Sequence, residues 1–299
     1  MTKPTLSIVV VSYNTAETTR TCLVSIQKSL AATTIAYEII VVDNNSQDET
    51  KAGLKKISAS FPQLQIIVNT ENVGFGKANN QGASRAKGEY LLFLNSDTEV
   101  LNDAITKIFT YYRQHQTAIH FLGGRLLNPD RTPQPSCGPF YTLPVVFGAL
   151  FLKGDYWGLT RSSPSRARTV DWVSGACLLT KKEYFETLSG FDEGIFMYME
   201  EIDLLYRAKK INLKTAFYPD ARFIHIGFAS SGQKTYPVIQ VYRGFLYFYH
   251  KHYGRFSLFV LKSMLQLKAV LAIIVGKIRR NAYLTKTYEQ SYEIVALDR

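Results

Sequence analysis

Short apolar segments that alternate with helical patterns constrain the fold of this chain more than any other feature. The β-branched run Leu6–Ser12 predicts a buried strand, residues 37–42 predict a second buried strand, and residues 65–68 and 90–94 predict a third and a fourth strand. A helical pattern follows each of them. Strands and helices that alternate at this spacing form βαβ units around a parallel sheet. We therefore expect an α/β fold, and 299 residues suffice for one large domain with an appendage.

Apolar spacing and capping residues place the remaining elements. Helices are predicted over residues 16–30, 46–59, 102–114 and 200–209, and a further helix follows the third strand and ends at about residue 85. Further strands are predicted near 119–122 and 172–180. Ser46 and Glu49 have the spacing of a capping box, which predicts that the second helix begins there. Residues 128–170 are interrupted by prolines and predict a long, partly mobile insertion over a ligand site.

Motifs composed mainly of polar residues follow each of the first four expected strands. They are Ser12, Tyr13 and Asn14 after the first strand, Asp43, Asn45 and Ser46 after the second, Asn72, Gly74, Phe75 and Asn80 after the third, and Asn95, Ser96 and Asp97 after the fourth. Ligands of open parallel sheets bind at the carboxyl ends of the strands. This common location indicates a binding site more strongly than any single motif.

Each of these motifs also has a simpler interpretation. Asp97 could hold a divalent cation that bridges a diphosphate, or it could cap the next helix. Asp43 could accept a hydrogen bond from a base or ribose, or it could stabilise a turn. The loop that begins at Asn72 resembles a glycine-rich phosphate loop, but Asn79 stands where the dinucleotide fingerprint requires glycine. The chain also lacks the GxxxxGK[ST] pattern of P-loop enzymes.

Three carboxylates crowd the start of the helix predicted at residues 200–209. Glu200, Glu201 and Asp203 there could simply complement the helix dipole. Crowding beside apolar residues can also raise a carboxyl pKa and create a general base. Glu200 and Asp203 share one helix face, so the two glutamates are not equivalent. His225 lies alone in an apolar run, where histidine is more often structural than a ligand.

The positive charge is concentrated near the C-terminus. Lys plus Arg number 35 and Asp plus Glu number 24, and residues 221–288 contain 11 basic residues and no acidic one. Within residues 256–276, a spanning helix would bury Lys262 and Lys268 at about 2.5–3.5 kcal/mol each. A polar stripe formed by Arg255, Lys262, Gln266 and Lys277 instead predicts an interfacial helix, the alternative being a helix packed on the protein's own core.

These motifs together resemble those of inverting family 2 glycosyltransferases with the GT-A fold, especially the bacterial rhamnosyltransferase-like members. The matching stretches lie at residues 9–14, 43–46, 72–76, 93–97, 123–130, 171–177, 190–193 and 197–203, in the expected order. The resemblance implies a Rossmann-like, mostly parallel central sheet flanked by helices, with a basic and aromatic C-terminal helical extension. The glycosyltransferase domain would cover residues 1–235, divided into a nucleotide-sugar-binding half at 1–122 and an acceptor and catalytic half at 123–235, and the extension would cover 236–299.

The resemblance also implies roles for individual residues. The strand-end residues listed above, apart from Ser46, would bind the nucleotide sugar, and Asp97 and His225 would hold Mg²⁺ or Mn²⁺. Asn95 replaces the first aspartate of the family's D-x-D element. Trp172 and Gly175 would line the sugar and acceptor site. Glu201 would be the catalytic base, with Glu200 as the alternative and Asp203 orienting its neighbours.

The expected activity is inverting transfer of a sugar from a nucleotide-diphosphate donor to a hydroxyl of a glycan, in cell-surface polysaccharide assembly. dTDP-L-rhamnose is the expected donor, with UDP-hexose, UDP-N-acetylhexosamine or UDP-galactofuranose as alternatives. A more distant alternative is that the protein is a catalytically silent relative that binds a sugar or a lipid. The expected acceptor is lipid-linked, the protein is expected on the cytoplasmic face of the cell membrane, and three scattered cysteines fit a reducing compartment. No nucleic-acid-binding signature is present, so no nucleic acid partner is expected.

Overall fold

The computed structural model describes residues 3–59, 61–227 and 235–298 and shows strands alternating with helices in the first half of the chain. In chain order this half contains β1 (Leu6–Ser12), α1 (Ala16–Leu30), β2 (Tyr37–Asp43), α2 (Thr50–Ser58), β3 (Leu64–Val68), α3 (Phe75–Arg85), β4 (Tyr90–Asn95), β5 (Thr98–Val100), α4 (Ala104–His115) and β6 (Phe121–Leu127). The four predicted strands and the helices between them are confirmed. Strand β6 begins two residues later than predicted and continues to Leu127.

The second half adds short strands and the C-terminal helices. They are β7 (Pro133–Gln134), β8 (Cys137–Gly138), α5 (Leu143–Phe151), β9 (Arg168–Val170), β10 (Trp172–Val173), β11 (Cys177–Lys181), α6 (Lys182–Thr187), α7 (Glu200–Lys210), β12 (Thr215–His225), α8 (Thr235–His252), α9 (Arg255–Ile278) and α10 (Ala282–Leu297). The predicted proline-rich insertion thus contains three short strands and one helix. Its predicted mobility stays a prediction.

One sheet carries the fold, in the order β3-β2-β1-β4-β11-β6-β12-β5. The first four strands are parallel, whereas β11 runs antiparallel to both of its neighbours. Strand β6 is parallel to β12, and β5 closes the edge in the antiparallel sense. The parallel prediction therefore describes the first half, and the sheet as a whole is mixed. Strands β1 and β4 are almost entirely buried because helices cover both faces of the sheet.

The predicted capping box at Ser46 and Glu49 is wrong. Helix α2 begins at Thr50, and Glu49 is its N-cap residue without a side-chain capping bond. The hydroxyl of Ser46 instead accepts a hydrogen bond from the backbone N–H of Asn14 at 2.9 Å. The hydroxyl oxygen of Ser46, which the local pattern assigned to capping α2, therefore makes a tertiary contact instead.

The three C-terminal helices pack on the rest of the molecule. Leu261 and Leu265 of α9 and Val295 of α10 belong to the same hydrophobic cluster as Val9 of the central sheet. Helix α9 also packs against α5 and α10. The proposed domain boundary at residue 235 adjoins residues 228–234, which lie outside the described residues.

Candidate active site

The polar ends of β1, β2 and β4 lie side by side at one edge of the sheet. Ser12 pairs in register with Asp43, and Val11 pairs with Asn95. Parallel strands bring their carboxyl ends to the same edge, so the motifs after β1, β2 and β4 converge as predicted. The side chains divide into those that face the cleft and those that brace it.

Asp43 has an open acceptor. It is fully buried, and its Oδ2 atom accepts a hydrogen bond from the N–H of Ser46 at 3.2 Å. Its Oδ1 atom has no hydrogen-bond partner within the described part of the chain. Because an unsatisfied buried carboxylate oxygen is costly, this atom indicates a place for a ligand donor such as a base N–H or ribose hydroxyl.

The turn after β1 is braced against the turn after β2. Asn14 adopts a left-handed conformation with φ 52°, and its Oδ1 accepts from the N–H of Gln47 at 2.7 Å. The hydroxyl of Ser12 lies 2.8 Å from that of Thr19 within a buried cluster. Ser96 joins the same cluster through Thr15 at 3.1 Å. Ser12, Asn14 and Ser96 therefore shape the site, and their side-chain groups already have protein partners.

Asn44, which the sequence reasoning passed over, connects the second turn to the loop after β3. Its Nδ2 donates to Asn72 Oδ1 at 2.8 Å, and its Oδ1 accepts from Asn69 Nδ2 at 3.0 Å. The N–H of Val73 also donates to that oxygen at 3.1 Å. Asn72 is thus held in place by Asn44. Asn45, by contrast, is turned toward exposed Gln47, whose amide donates to it.

Gly74 brings the start of α3 against the loop that precedes α7. Its φ is +88°, and a Cβ atom there would lie 2.6 Å from the carbonyl oxygen of Phe196. The next N–H, that of Phe75, donates to the same oxygen at 2.9 Å. Asn80 fastens the same junction, because its amide donates to the carbonyl of Phe191 and accepts from that residue's N–H. These hydrogen bonds give Asn80 a bracing role, whereas the sequence prediction made it a nucleotide contact.

His225 and Asp97 converge at the end of β12. Nε2 of His225 lies 3.4 Å from Oδ1 of Asp97 and 3.2 Å from Nδ2 of Asn95. Nδ1 of His225 donates to Oε1 of Gln134 at 2.7 Å, so Nε2 carries the lone pair of the neutral imidazole. Burial raises the pKa of Asp97, whereas the proximity of His225 and a hydrogen bond from the N–H of Gly227 lower it, and the lowering prevails. Asp97 is therefore an anion beside an imidazole nitrogen.

These residues fit part of a divalent cation site. Among the described residues, no group of three or more His, Cys, Asp and Glu side chains converges, so the protein offers Asp97 and His225 alone. The buried Oδ1 of Asn95 beside them has no partner in the described ranges. A carboxylate, an imidazole and an amide oxygen suit Mg²⁺ or Mn²⁺ when a ligand's phosphate oxygens supply the remaining positions.

The two glutamates at the start of α7 occupy different environments. Tyr198 and Met199, which precede them, both adopt left-handed conformations, with φ 65° and 80°. Such conformations in residues other than glycine persist only where the surroundings enforce them, and they cluster at functional sites. Glu200 is buried, and its Oε2 atom has no partner in the part of the molecule described. Burial and the neighbouring charge of Glu201 raise the pKa of Glu200 well above its usual value.

Glu201 is half-buried and faces the loop after β10. A Cβ atom on Gly175 would lie 3.6 Å from Cβ of Glu201, an ordinary contact distance, so the two residues are direct neighbours. Burial raises the pKa of Glu201, while the charge of Arg161 and the N–H of Gly175 oppose the increase. A partly exposed carboxylate with a raised pKa has the properties of a general base.

Asp203 anchors α7 to α8. His252 Nε2 donates to Oδ1 of Asp203 at 2.7 Å, and Lys251 lies 2.8 Å from the same oxygen. Arg207 donates to Oδ2 at 2.7 Å. Burial alone would raise the pKa of Asp203, but the His252 hydrogen bond and the charges of Arg207 and Lys251 lower it to about 2. The fully buried Asp203 is thus a permanently charged brace behind the glutamates.

Trp172 forms a buried wall near Glu201. Only 2% of its surface is exposed, and its indole N–H donates to the carbonyl of Pro139 at 2.8 Å. The guanidinium of Arg161 lies 5.8 Å from the Trp172 ring, and Tyr141 stacks on it at 5.9 Å. Trp172 therefore supports Tyr141 and Arg161, and its burial does not suit the direct sugar contact that the sequence suggested.

Sequence reasoning missed Asn44, Gln134 and Arg161. Asn44 belongs to a motif that the sequence analysis singled out, and its position between Asp43 and Asn45 was the available signal. Gln134 and Arg161 lie in the proline-rich segment, 91 and 40 residues from the side chains that they serve, His225 and Glu201. Only the folded chain brings them to the site.

Comparison with known proteins gives consistent matches. The model of glycosyl transferase family 2 matches residues 7–186, which is more than half of the chain. N-acetylglucosaminyl-diphospho-decaprenol L-rhamnosyltransferase of Mycobacterium tuberculosis is 27% identical over 233 residues, covering 70% of this chain and 74% of its own. Rhamnosyltransferase WbbL of Escherichia coli is 28% identical over 199 residues, covering 63% and 72% respectively.

A solved structure shares the fold. The mannosyltransferase PcManGT of Pyrobaculum calidifontis, in complex with GDP-Man and Mn²⁺, superposes with a TM-score of 0.60. The superposition covers 98% of this chain and 86% of that one, at 16% sequence identity. At this identity the match establishes the architecture alone.

Proposed function

Because the chain belongs to glycosyl transferase family 2, we propose that it transfers a sugar from a nucleotide-diphosphate donor to a hydroxyl group of a glycan acceptor. The predicted GT-A fold, with its C-terminal helical region, is confirmed. One observation carries the proposal. The open acceptor Asp43 and the paired Asp97 and His225 lie at the carboxyl edge of the sheet. Glu201, whose pKa is raised, lies beside Gly175, and the carbonyl of the next residue, Ala176, accepts from the N–H of Asn95 at that edge.

The nucleotide would bind across the ends of β1, β2 and β4. Asp43 Oδ1, a buried acceptor without a partner in the described part of the chain, would accept from the base or the ribose. Asn72 and Gly74 would place the backbone of the α3 start beside the donor. Tyr13, half-buried on the first turn, would form a side of the base pocket.

Asp97 and His225 would hold a divalent cation together with the donor's diphosphate. The cation would offset the negative charge that develops on the leaving group. Gln134 keeps the proton on Nδ1 of His225, so that Nε2 can be a ligand. Mn²⁺ in PcManGT supports the choice of ion.

Glu201 would remove the proton from the acceptor hydroxyl. That oxygen then forms a bond to the anomeric carbon from the face opposite the diphosphate, and the bond to the diphosphate oxygen breaks with its electron pair. The anomeric configuration inverts in this single displacement. The acceptor hydroxyl would lie near Gly175, which neighbours Glu201.

The donor proposed is dTDP-L-rhamnose and the acceptor a lipid-linked glycan. Relatives named as rhamnosyltransferases support the sugar, and the decaprenol-linked name of the mycobacterial relative supports a lipid carrier. The relative RfbC of Myxococcus xanthus, named for O-antigen biosynthesis and 29% identical over 198 residues, supports a role in polysaccharide assembly. A cytoplasmic location on the inner membrane face follows from such an acceptor.

The proposal is tested with a panel of nucleotide sugars. Thermal unfolding is measured with dTDP-L-rhamnose, UDP-glucose, UDP-N-acetylglucosamine, UDP-galactofuranose and GDP-mannose, each with and without Mn²⁺. We expect the largest increase in Tm with dTDP-L-rhamnose plus Mn²⁺. Release of dTDP on addition of a lipid-linked acceptor would then establish transfer. The absence of a Tm increase with every donor would contradict the proposal.

A further inference from the structure

Helix α9 presents an apolar face to the outside of the molecule. The helix is 24 residues long, and by length and composition it could cross a membrane. Its exposed apolar side chains lie within one helical stripe, from Phe256 through Leu267, Val270, Leu271 and Ile274 to Ile278. A contiguous exposed apolar surface of this kind usually marks an interaction site.

Two lysines of α9, Lys262 and Lys268, are turned inward, so the expected polar stripe is wrong at Lys262, although Arg255 and Lys277 are exposed. Lys262 lies 2.8 Å from the carboxylate of Asp298 and donates to its backbone carbonyl at 2.6 Å. Lys268 donates to the carbonyl of Leu150 at 2.8 Å. Leu261 and Leu265 pack in the core on the same inner side. Spanning a bilayer would break these contacts and put both ammonium groups in hydrocarbon, so the structure favours a helix that lies on a surface.

The turn after α5 extends the apolar face. Residues 152–159 expose Leu152, Tyr156, Trp157 and Leu159, and Trp157 is 68% exposed. A groove of about 370 Å³ lies between α5 and α9, next to this turn in the chain, and is lined by Leu150, Phe151, Leu271 and Val275 among others. Tryptophan and tyrosine favour the headgroup region of membranes because their rings are amphipathic. We call the outward side of α9 together with residues 152–159 the apolar platform.

The charge around the platform is mostly positive, although residues 152–159 include the exposed Asp155. Lys277, Arg279 and Arg280 are exposed at the end of α9, and residues 221–288 contain no acidic side chain. Two copies of this surface would repel each other. Anionic phospholipid headgroups attract it, and the hydrocarbon just below them accepts its apolar side chains.

From this combination we infer that the apolar platform docks flat on a bilayer that contains anionic phospholipid. Arg161 follows Leu159 by two residues, and its guanidinium lies over the ring of Trp172, near Glu201. Docking by the platform would therefore hold the acceptor side of the cleft near the membrane. The surface itself does not depend on the transfer reaction, so the two proposals can fail separately.

The test measures binding of the full chain to vesicles of phosphatidylglycerol and phosphatidylcholine by co-sedimentation. The triple variant Leu267→Gln, Leu271→Gln, Ile274→Gln should bind at least tenfold more weakly, with unchanged Tm and unchanged donor-induced stabilisation. Ile211→Gln, at an exposed apolar position on the end of α7, is the matched control and should bind as the wild type does. Replacing Lys277, Arg279 and Arg280 with glutamine should remove the preference for anionic lipid.

Fluorescence gives a second readout. The chain has two tryptophans, exposed Trp157 and buried Trp172. Vesicles should shift the emission to shorter wavelength, and Trp157→Phe should abolish the shift while binding persists. Wild-type binding by the triple variant, or unshifted emission of bound protein, would overturn the inference. A dimer that the triple variant fails to form would overturn it as well, because a second copy would then cover the platform.

Discussion

Nδ1 of His225 lies 2.7 Å from Oε1 of Gln134, and this contact determines which ring nitrogen carries the proton. Gln134 is itself oriented, because its Nε2 donates to Asn128 Oδ1 at 3.1 Å and to the backbone carbonyl of His225 at 3.2 Å. The amide oxygen therefore faces the ring. Nε2 of His225 is left to face Asp97, which is the arrangement that a metal-binding histidine requires.

Replacement of Gln134 should weaken metal binding without removing a ligand. Gln134→Ala frees the His225 ring to adopt the other tautomer, so we expect an affinity for Mn²⁺ about 10–100-fold lower in the presence of donor. Calorimetric titration with Mn²⁺ measures this. Asn128→Ala is the control, because it removes a partner of Gln134 and leaves the His225 contact in place. Equal Mn²⁺ affinity of Gln134→Ala and wild type would contradict the assignment.

Glu201→Gln should abolish most of the turnover and preserve donor binding. An amide of the same shape cannot accept the hydroxyl proton, so kcat should fall by about 10²–10⁴-fold. The release of nucleoside diphosphate with acceptor present measures turnover, and the donor-induced rise in Tm measures binding. Near-normal turnover in this variant would exclude Glu201 as the base and leave Glu200 as the candidate.

The buried strands were predictable because their buried apolar residues are consecutive in the sequence. Every residue of β1 is buried, so an uninterrupted β-branched run identified its bounds. Helix α1 was likewise placed by local periodicity alone. The capping-box prediction at Ser46 failed because the hydroxyl oxygen of Ser46 accepts from the N–H of Asn14, 32 residues away. No local sequence pattern indicates such a contact.

The orientation of α9 and the contact between His225 and Gln134 could not be predicted from the sequence, for a different reason. A helical wheel groups Arg255, Lys262, Gln266 and Lys277 on one stripe, but it cannot say which side faces the protein. The partner Asp298 lies 36 residues from Lys262 and decides the matter by satisfying its charge inside. Asp97 and Glu201 were accessible only through resemblance, because each side chain also has a plausible structural role.

Glu200→Gln should stabilise the protein, and more so as the pH rises. Glu200 has a folded-state pKa above its unfolded value of about 4.3, so the folded state binds the extra proton. Stability from this group is therefore highest at low pH and declines as the pH rises from the unfolded toward the folded pKa. At pH 8 the amide avoids a buried unpaired charge, and we expect about 1–3 kcal/mol more stability. Urea unfolding at pH 5 and pH 8 should show a larger gain at pH 8, and a gain independent of pH would count against this origin.

Arg161→Gln should move the acidic limb of the pH–rate profile upward. The charge of Arg161 opposes the burial that raises the pKa of Glu201, so its loss lets that pKa rise further. Glu201 must be ionised to act as a base. The midpoint of kcat on the acid side should thus increase by about one pH unit. Arg161→Lys, which keeps the charge, should retain most of the wild-type profile, and identical midpoints for Gln and wild type would refute the coupling.

Asp203→Asn should destabilise the fold through the junction of α7 and α8. The carboxylate is fully buried and accepts from Arg207, His252 and Lys251. An amide removes the carboxylate partner of Arg207 and leaves Lys251 paired with Asp192, at a cost of about 3–5 kcal/mol. The pKa of Asp203 is lowered to about 2, so its contribution is complete above the unfolded value of about 3.9 and is lost as the pH falls toward 2.

The matched control for Asp203→Asn is Asp103→Asn, which breaks an exposed pair with Lys107 at 2.9 Å. Such a surface pair contributes about 0.2–1 kcal/mol, so its loss should be small. Urea unfolding at pH 7 compares the two variants, and a repeat near pH 2 should bring Asp203→Asn closer to wild type. Equal losses at pH 7 would mean that α8 is not held to α7 through Asp203. A large loss would instead show that the C-terminal helices, which carry the apolar platform, are fastened to the helix that bears the proposed base.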